Sequence, residues 1–279
     1  MGTIPISSIT VDDHESGKYK WNKKQCKVFL LYCNQSPVRL TNVPSERKTS
    51  EFEISNLKER LKLWLGKDVV KFKDFHNFGT ELKNKLCEEI ANAAENEKYD
   101  CFIFIVLTIG VQDRLFCWDG EISITDILEA VKKEPSMALK PKVFFIQCSD
   151  ESLAEKPVIT KAGAVPSVSE KYRTISIPRE ADVFILQCIL PESLFPVNDE
   201  INECIFVTAL METMEKAKTQ LDIHQLSIQV IAAVNERLQR EHNKSKEDNK
   251  ETVDFNSLPV PEVTSTLTKA LYFPFQSQC

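Results

Sequence analysis

The sequence predicts an α/β fold in which a mostly parallel sheet is covered by helices on both faces. Three observations carry this. Continuous apolar runs of strand length recur along the chain, at Lys27–Cys33, Cys101–Thr108, Val143–Gln147 and Val183–Leu190. Such runs, apolar on every face, suit strands buried between two helix layers. Between them stand segments whose apolar residues fall three and four apart, one stripe of a helix.

Taken in order, residues 1–25 are polar and aperiodic and read as a short flexible leader. After the first strand, Ile54, Leu57, Leu61 and Trp64 mark a helix across Ser50–Leu65, and Asp68–Phe72 a short strand. Leu82, Leu86 and Ile90 stripe the next helix, which leads into Cys101–Thr108. RLFCW and EISI then form a hairpin around Asp119-Gly120, a pair suited to the positive φ of a type I′ turn. Ile127, Leu128 and Val131 give a short helix before Val143–Gln147. Asp150–Ser176, with Pro157, Gly163 and Pro166, reads as a long irregular connection. Val183–Leu190 resumes the sheet, and two helices follow, Asn202–Thr219 and Ile223–Arg240. Glu241–Glu251 reads as a charge-rich solvated loop, and Val260–Phe273 as a closing strand region.

Composition excludes several classes. With 35 Lys+Arg against 41 Asp+Glu the net charge is −6, so no basic footprint for nucleic acid exists. Only seven glycines occur, and neither GxGxxG nor GxxxxGK[ST] is present, which argues against a nucleotide-binding loop. The longest apolar run, Cys101–Val111, is about half of what a membrane-spanning helix needs. Nine cysteines, an odd count without a metal-like CxxC pair, read as reduced thiols of a cytoplasmic protein with no metal and no cofactor.

Several segments, in this order, resemble the caspases. They are the strand ending Thr108-Ile109-Gly110, the Asp119-Gly120 hairpin, Lys140-Pro-Lys-Val-Phe-Phe-Ile-Gln147, Ile177-Pro-Arg-Glu-Ala-Asp182 and Leu267-Thr-Lys-Ala-Leu-Tyr-Phe273. The resemblance covers nearly the whole chain. It implies a three-layer α/β/α sandwich with a central sheet of about six strands. It also implies a single domain over 26–275, with 26–150 as the large-subunit-like part, 151–176 as the linker and 177–275 as the small-subunit-like part. Caspases are cut after aspartates in that linker, and none stands between Asp150 and Asp182, so an uncut chain is expected.

The same resemblance implies a site, tested residue by residue. The family's cysteine nucleophile is activated by a histidine while backbone N–H groups hold the oxyanion. The histidine slot, just before Gly110, holds Ile109, whose alkyl side chain cannot carry a proton. In the family's Q-A-C-[RQG]-G pattern, Gln147 is kept, Cys148 takes the alanine slot and Ser149 the cysteine slot. A serine without a base is a poor nucleophile. A one-residue slip that hands the role to Cys148 is the alternative, weighed against a buried structural cysteine. Gly110 keeps an N–H suited to an oxyanion. Histidines 14, 76, 224 and 242 lie elsewhere in the pattern and read as ordinary surface residues. In the pocket for the substrate's acidic residue, Arg47 and Gln147 remain, while the second arginine is replaced by Val197, preceded by Pro196. That replacement removes a bidentate grip on a carboxylate.

The resemblance therefore implies a pseudoenzyme that binds an active caspase or a procaspase. Family members dimerise through the last strand, here Val260–Leu267, which makes Val260, Glu262, Val263 and Thr264 interface candidates. Glu262 at such an edge disfavours self-pairing, so weak or no homodimerisation is expected. Inhibition ranks above activation because the leader holds no adaptor-like helical domain. The alternatives are a residual peptidase using Cys148 or Ser149, and an activating partner or scaffold.

Overall fold

In chain order the elements are β1 (Cys26–Tyr32), α1 (Glu51–Leu65), β2 (Val69–Lys73), α2 (Lys83–Asn96), β3 (Cys101–Val111), β4 (Arg114–Cys117), β5 (Gly120–Ser123), α3 (Ile124–Lys132), β6 (Lys142–Ser149), β7 (Val183–Leu190), α4 (Ile205–Lys216), β8 (Leu221–Asp222), α5 (Ile223–Glu247), β9 (Glu262–Ser265) and β10 (Tyr272–Phe273). This computed structural model describes residues 17–20, 26–33, 51–65, 69–73, 83–96, 99–111, 114–117, 120–132, 137–149, 181–190, 204–217, 221–247 and 260–273. The central sheet runs β2-β1-β3-β6-β7-β9. Its first five strands are parallel to their neighbours, and β9 closes one edge antiparallel to β7. The hairpin β4–β5 branches from the end of β3, and β10 pairs with β8 in a separate small sheet.

Side-chain alternation splits the core into two layers. Ile103, Ile105 and Leu107 of β3, with Val143 and Phe145 of β6, pack with α1, α4 and α5. Phe102, Phe104 and Val106, with Phe144 and Ile146, pack on the other face with α2 and α3. Of the helix stripes read from the sequence, Ile54, Leu57 and Leu61 of α1, Leu86 and Ile90 of α2, and Ile127, Leu128 and Val131 of α3 are buried, while the Trp64 side chain and Leu82 lie outside the described residues. The α/β sandwich with a mostly parallel six-strand sheet is thus the fold the sequence implied.

Four expectations need correction. The segment expected as a loop from Glu241 is helical as far as Glu247. Residues 241–247 hold no glycine or proline, and their Glu and Lys residues are good helix formers, so no strong breaker ends the helix earlier. Within the expected leader, Lys18 forms a bridge with Ala270, because the backbone at residues 17–20 finds hydrogen-bond partners in the closing segment. Gly17 opens that stretch with φ of 59°, a conformation that glycine adopts without steric cost. The hairpin register pairs Cys117 with Gly120, so Gly120 belongs to the ladder of β5 and is not a central turn residue. The closing region is two short strands, β9 and β10, that join different sheets.

Ion pairs tie the parts of the chain together across the helices. Arg60 of α1 grips Glu215 of α4 in a bidentate pair at 2.8 and 3.0 Å. Glu212 of α4 accepts from Lys216 at 2.7 Å and from Arg237 of α5. The Lys216 hydrogen bond, then that of Arg237, holds the Glu212 carboxyl below its usual range. A carboxyl with a lowered folded-state pKa stabilises the protein above its unfolded pKa, near 4.3, and loses that contribution as pH falls through the folded value. Because the pair is partly solvated, Glu212→Gln is expected to cost no more than about 1 kcal/mol at pH 7. The difference from the parent should shrink progressively as the pH is lowered through the carboxylate range, as read from urea midpoints at pH 7 and at successively lower pH values.

Candidate active site

Parallel sheets present their ligand sites at the carboxyl ends of the strands. At that end of β3 and β6, the register sets Thr108 beside Cys148 and Ile109 beside Ser149. Neighbouring strands lie about 4.8 Å apart, so the residues at 109 and 149 are side by side despite their distance in sequence. Both are buried, at 1% exposure each.

Alternation assigns the faces. Gln147 and Ser149 share the parity of Val143 and Phe145, and Ile109 that of Ile103, Ile105 and Leu107, so all three belong to the face of α1, α4 and α5. Cys148 belongs to the opposite face, at 0% exposure, packed with Phe144 and Ile146 in the layer of α2 and α3. The one-residue step that separates Cys148 from Ser149 therefore carries its thiol through the sheet.

The polar atoms on the site face are sparsely served. The thiol of Cys204 donates to Gln147 Oε1, while Gln147 Nε2 and Ser149 Oγ are buried without a hydrogen-bond partner among the described residues. Each such orphan costs about 1–3 kcal/mol, a load that functional sites are known to carry. Cys204 is not among the site residues the sequence marks. It stands at the N-cap of α4, where Ser, Thr, Asn or Asp is preferred, and its side chain makes no cap bond. A cysteine in a capping position is the signal that could have marked it.

Cys188, the register partner of Gln147, is a second thiol on this face. Burial, and then the neighbouring Cys148, pushes its pKa far up, so it stays a neutral thiol and no nucleophile at physiological pH. Gly110 lies buried opposite Leu115 of β4. Arg47, Val197, Pro196, Asp150 and the linker 151–176 lie outside the described residues. Among the described residues, no three or more His, Cys, Asp or Glu side chains come together to hold a metal ion. Among them too, no helix is long and apolar enough to cross a membrane.

The other candidate surface is the β9 edge. β9 is terminal in the sheet, with β7 as its neighbour on one side. Val260 is 55% and Val263 38% exposed, Glu262 is exposed, Thr264 is half-buried, and Pro261 is buried. An open sheet edge of this kind is a template for another strand unless charge or proline blunts it.

The caspase domain (peptidase family C14) matches residues 28–272. The chain belongs to the caspase family. Caspase-6 of Gallus gallus is 25% identical over 273 residues, covering 92% of this chain and 83% of that protein. Caspase-8 of Mus musculus is 30% identical over 193 residues, 65% of this chain, and the match spans 37% of that longer caspase. Among solved structures, caspase-1 of Spodoptera frugiperda superposes with a TM-score of 0.65 at 22% identity, covering 100% of this chain and 99% of that one. The same fold is shared with the structure of its pro-form, again with a TM-score of 0.65, over 94% of this chain. The caspase fold thus extends across both the sheet end with Ile109 and Ser149 and the β9 edge.

Proposed function

We propose that this chain is a catalytically inactive caspase homologue that regulates an active caspase or procaspase by direct binding, with inhibition as its effect. The observation that supports this is the juxtaposition of Ile109 and Ser149. Thiol catalysis requires a base beside a nucleophile. Here an alkyl side chain faces a hydroxyl, and the adjacent Cys148 points to the opposite layer. In subtilisin, loss of nucleophile or base alone costs roughly a million-fold in kcat. Meanwhile the two-layered core is intact, so the scaffold has kept what a binding protein needs.

The β9 edge is the surface for the partner. Its exposed Val260 and Val263 supply apolar contact, and Glu262 repels an identical strand laid against it while accepting one with a basic residue there. Occupying the partner's own dimerising edge with a chain that cannot complete a site lowers its activity. The alternative with Cys148 as nucleophile draws no support from its 0% exposure.

The test is a titration into an active caspase, following cleavage of a fluorogenic peptide with an acidic residue before the scissile bond. The partner's rate should fall saturably, while this chain alone turns over at least about a million-fold more slowly than an active homologue. A rise in the partner's rate would overturn the inhibitory sign and make the chain an activator. Turnover by the chain alone, abolished by Cys148→Ala, would overturn the proposal.

A further inference from the structure

The opposite end of the sheet carries a cluster that the candidate active site does not use. Asp182 stands immediately before β7, buried, with φ of 68°. Its backbone N–H donates to the Thr266 carbonyl and its own carbonyl accepts from the Lys142 N–H, both at 2.9 Å. Its carboxylate oxygen Oδ1 accepts from two hydroxyls, those of Tyr19 and Thr268. The Tyr19 oxygen in turn accepts from the Thr268 N–H at 3.1 Å. A buried carboxylate is tolerated only when it is hydrogen-bonded, so these donors are required rather than incidental.

Tyr19 is delivered by a short stretch of chain laid along the C-terminal segment. Its N–H donates to the Ala270 carbonyl and the Ala270 N–H to the Gly17 carbonyl, both at 2.9 Å. The Lys18 ammonium sits 4.7 Å above the Tyr272 ring. On the other side of the cluster, the Thr266 N–H donates to the Val183 carbonyl at 2.8 Å. Thr266 directly follows β9, so Asp182 joins the stretch at 17–20 to the end of the edge strand.

We propose that residues 17–20 form a detachable strap, latched by the Tyr19 hydroxyl on Asp182, whose docking sets how firmly the edge strand β9 is held on the sheet. The strap is small and, apart from the half-buried Tyr19 ring packed against the core, exposed, so its attachment depends on that ring and a few polar contacts. Withdrawing the hydroxyl removes one donor from a buried carboxylate and one acceptor from the Thr268 amide. The loss is then felt at Thr266 and through it at β9.

Amide hydrogen exchange on the full chain tests this without reference to any enzymatic or regulatory activity. Tyr19→Phe keeps the ring and removes the hydroxyl. It should speed exchange at the amides of Tyr19, Ala270, Thr266 and β9 by about tenfold or more, the factor carried by a hydrogen bond to a charged group. The amides of Phe104 and Phe144, in the sheet centre, should keep their parental rates. Thr268→Val, which removes the other hydroxyl at constant shape, should act in the same direction. Unchanged exchange at Ala270 and β9 in both variants would overturn the proposal. So would an equal rise at Phe104 and Phe144, which would mean general destabilisation rather than release of a strap.

Discussion

Ile109→His combined with Ser149→Cys is expected to create a thiol at position 149 that alkylates about a hundredfold faster at pH 6 than the thiol of Ser149→Cys alone. The two positions are register partners on adjacent parallel strands, so an imidazole at one lies within reach of a thiol at the other. An isolated thiol, with a pKa of about 8.5, is roughly 0.3% thiolate at pH 6, whereas one paired with His⁺ is half ionised or more. Burial alone pushes thiols on this face upward, as it does for Cys188, so the single variant should be slower still. Burial also slows access of the reagent, but equally in both variants, and the ratio survives. Iodoacetamide labelling followed by mass spectrometry reads it directly. A ratio near one would mean that the side chains at 109 and 149 do not face each other, and the structural basis for the pseudoenzyme proposal would fall. Ser149→Cys alone should leave peptidase activity at the parental level, because with Ile109 in the base position the new thiol has no partner to activate it, and a nucleophile without its base works little better than neither.

Phe104→Ala is expected to lower stability by about 3–5 kcal/mol, the cost of emptying a buried aromatic site. Phe104 lies at the middle of β3, fully buried, with its ring stacked on Phe29 at 5.0 Å and on Phe144 at 4.6 Å between centroids. The stack therefore runs across β1, β3 and β6, and each aromatic pair adds to the area term. For a chain of this size the loss corresponds to a fall in Tm of roughly 10 °C, measurable by thermal or urea unfolding. Because the side chain points to the layer of α2 and α3, partner binding at β9 should survive below the transition. A loss under about 1 kcal/mol would mean that the central layer is less tightly packed than the ring distances imply.

These expectations rest on different kinds of information. The α/β class was legible because it depends on local pattern. An all-apolar run such as Cys101–Thr108 cannot face water on either side, and Ile54, Leu57 and Leu61 cannot share a face unless the chain is helical. The family was legible from short motifs such as Lys140–Gln147. So were the side-chain types at positions 109 and 149, an alkyl group and a hydroxyl, since whether a side chain can hold a proton is a covalent property. Where local pattern misled, charge suggested a loop, as in the stretch after Glu241, which holds no glycine or proline and continues α5 as far as Glu247.

What lies beyond the reach of the sequence is juxtaposition. Nothing in the order of residues places Ile109 against Ser149; the β3–β6 register does, and that register is set by packing two layers of side chains at once. The same packing sends Cys148 through to the far face, although it differs from Ser149 by one position. It brings the Cys204 thiol to Gln147 and the Tyr19 hydroxyl to Asp182, contacts between residues remote in the chain. Side-chain identity limits which reactions are possible, and it is written residue by residue. Which groups meet is decided only when the whole core closes, because each such contact depends on strand neighbours and helix layers contributed by distant parts of the chain.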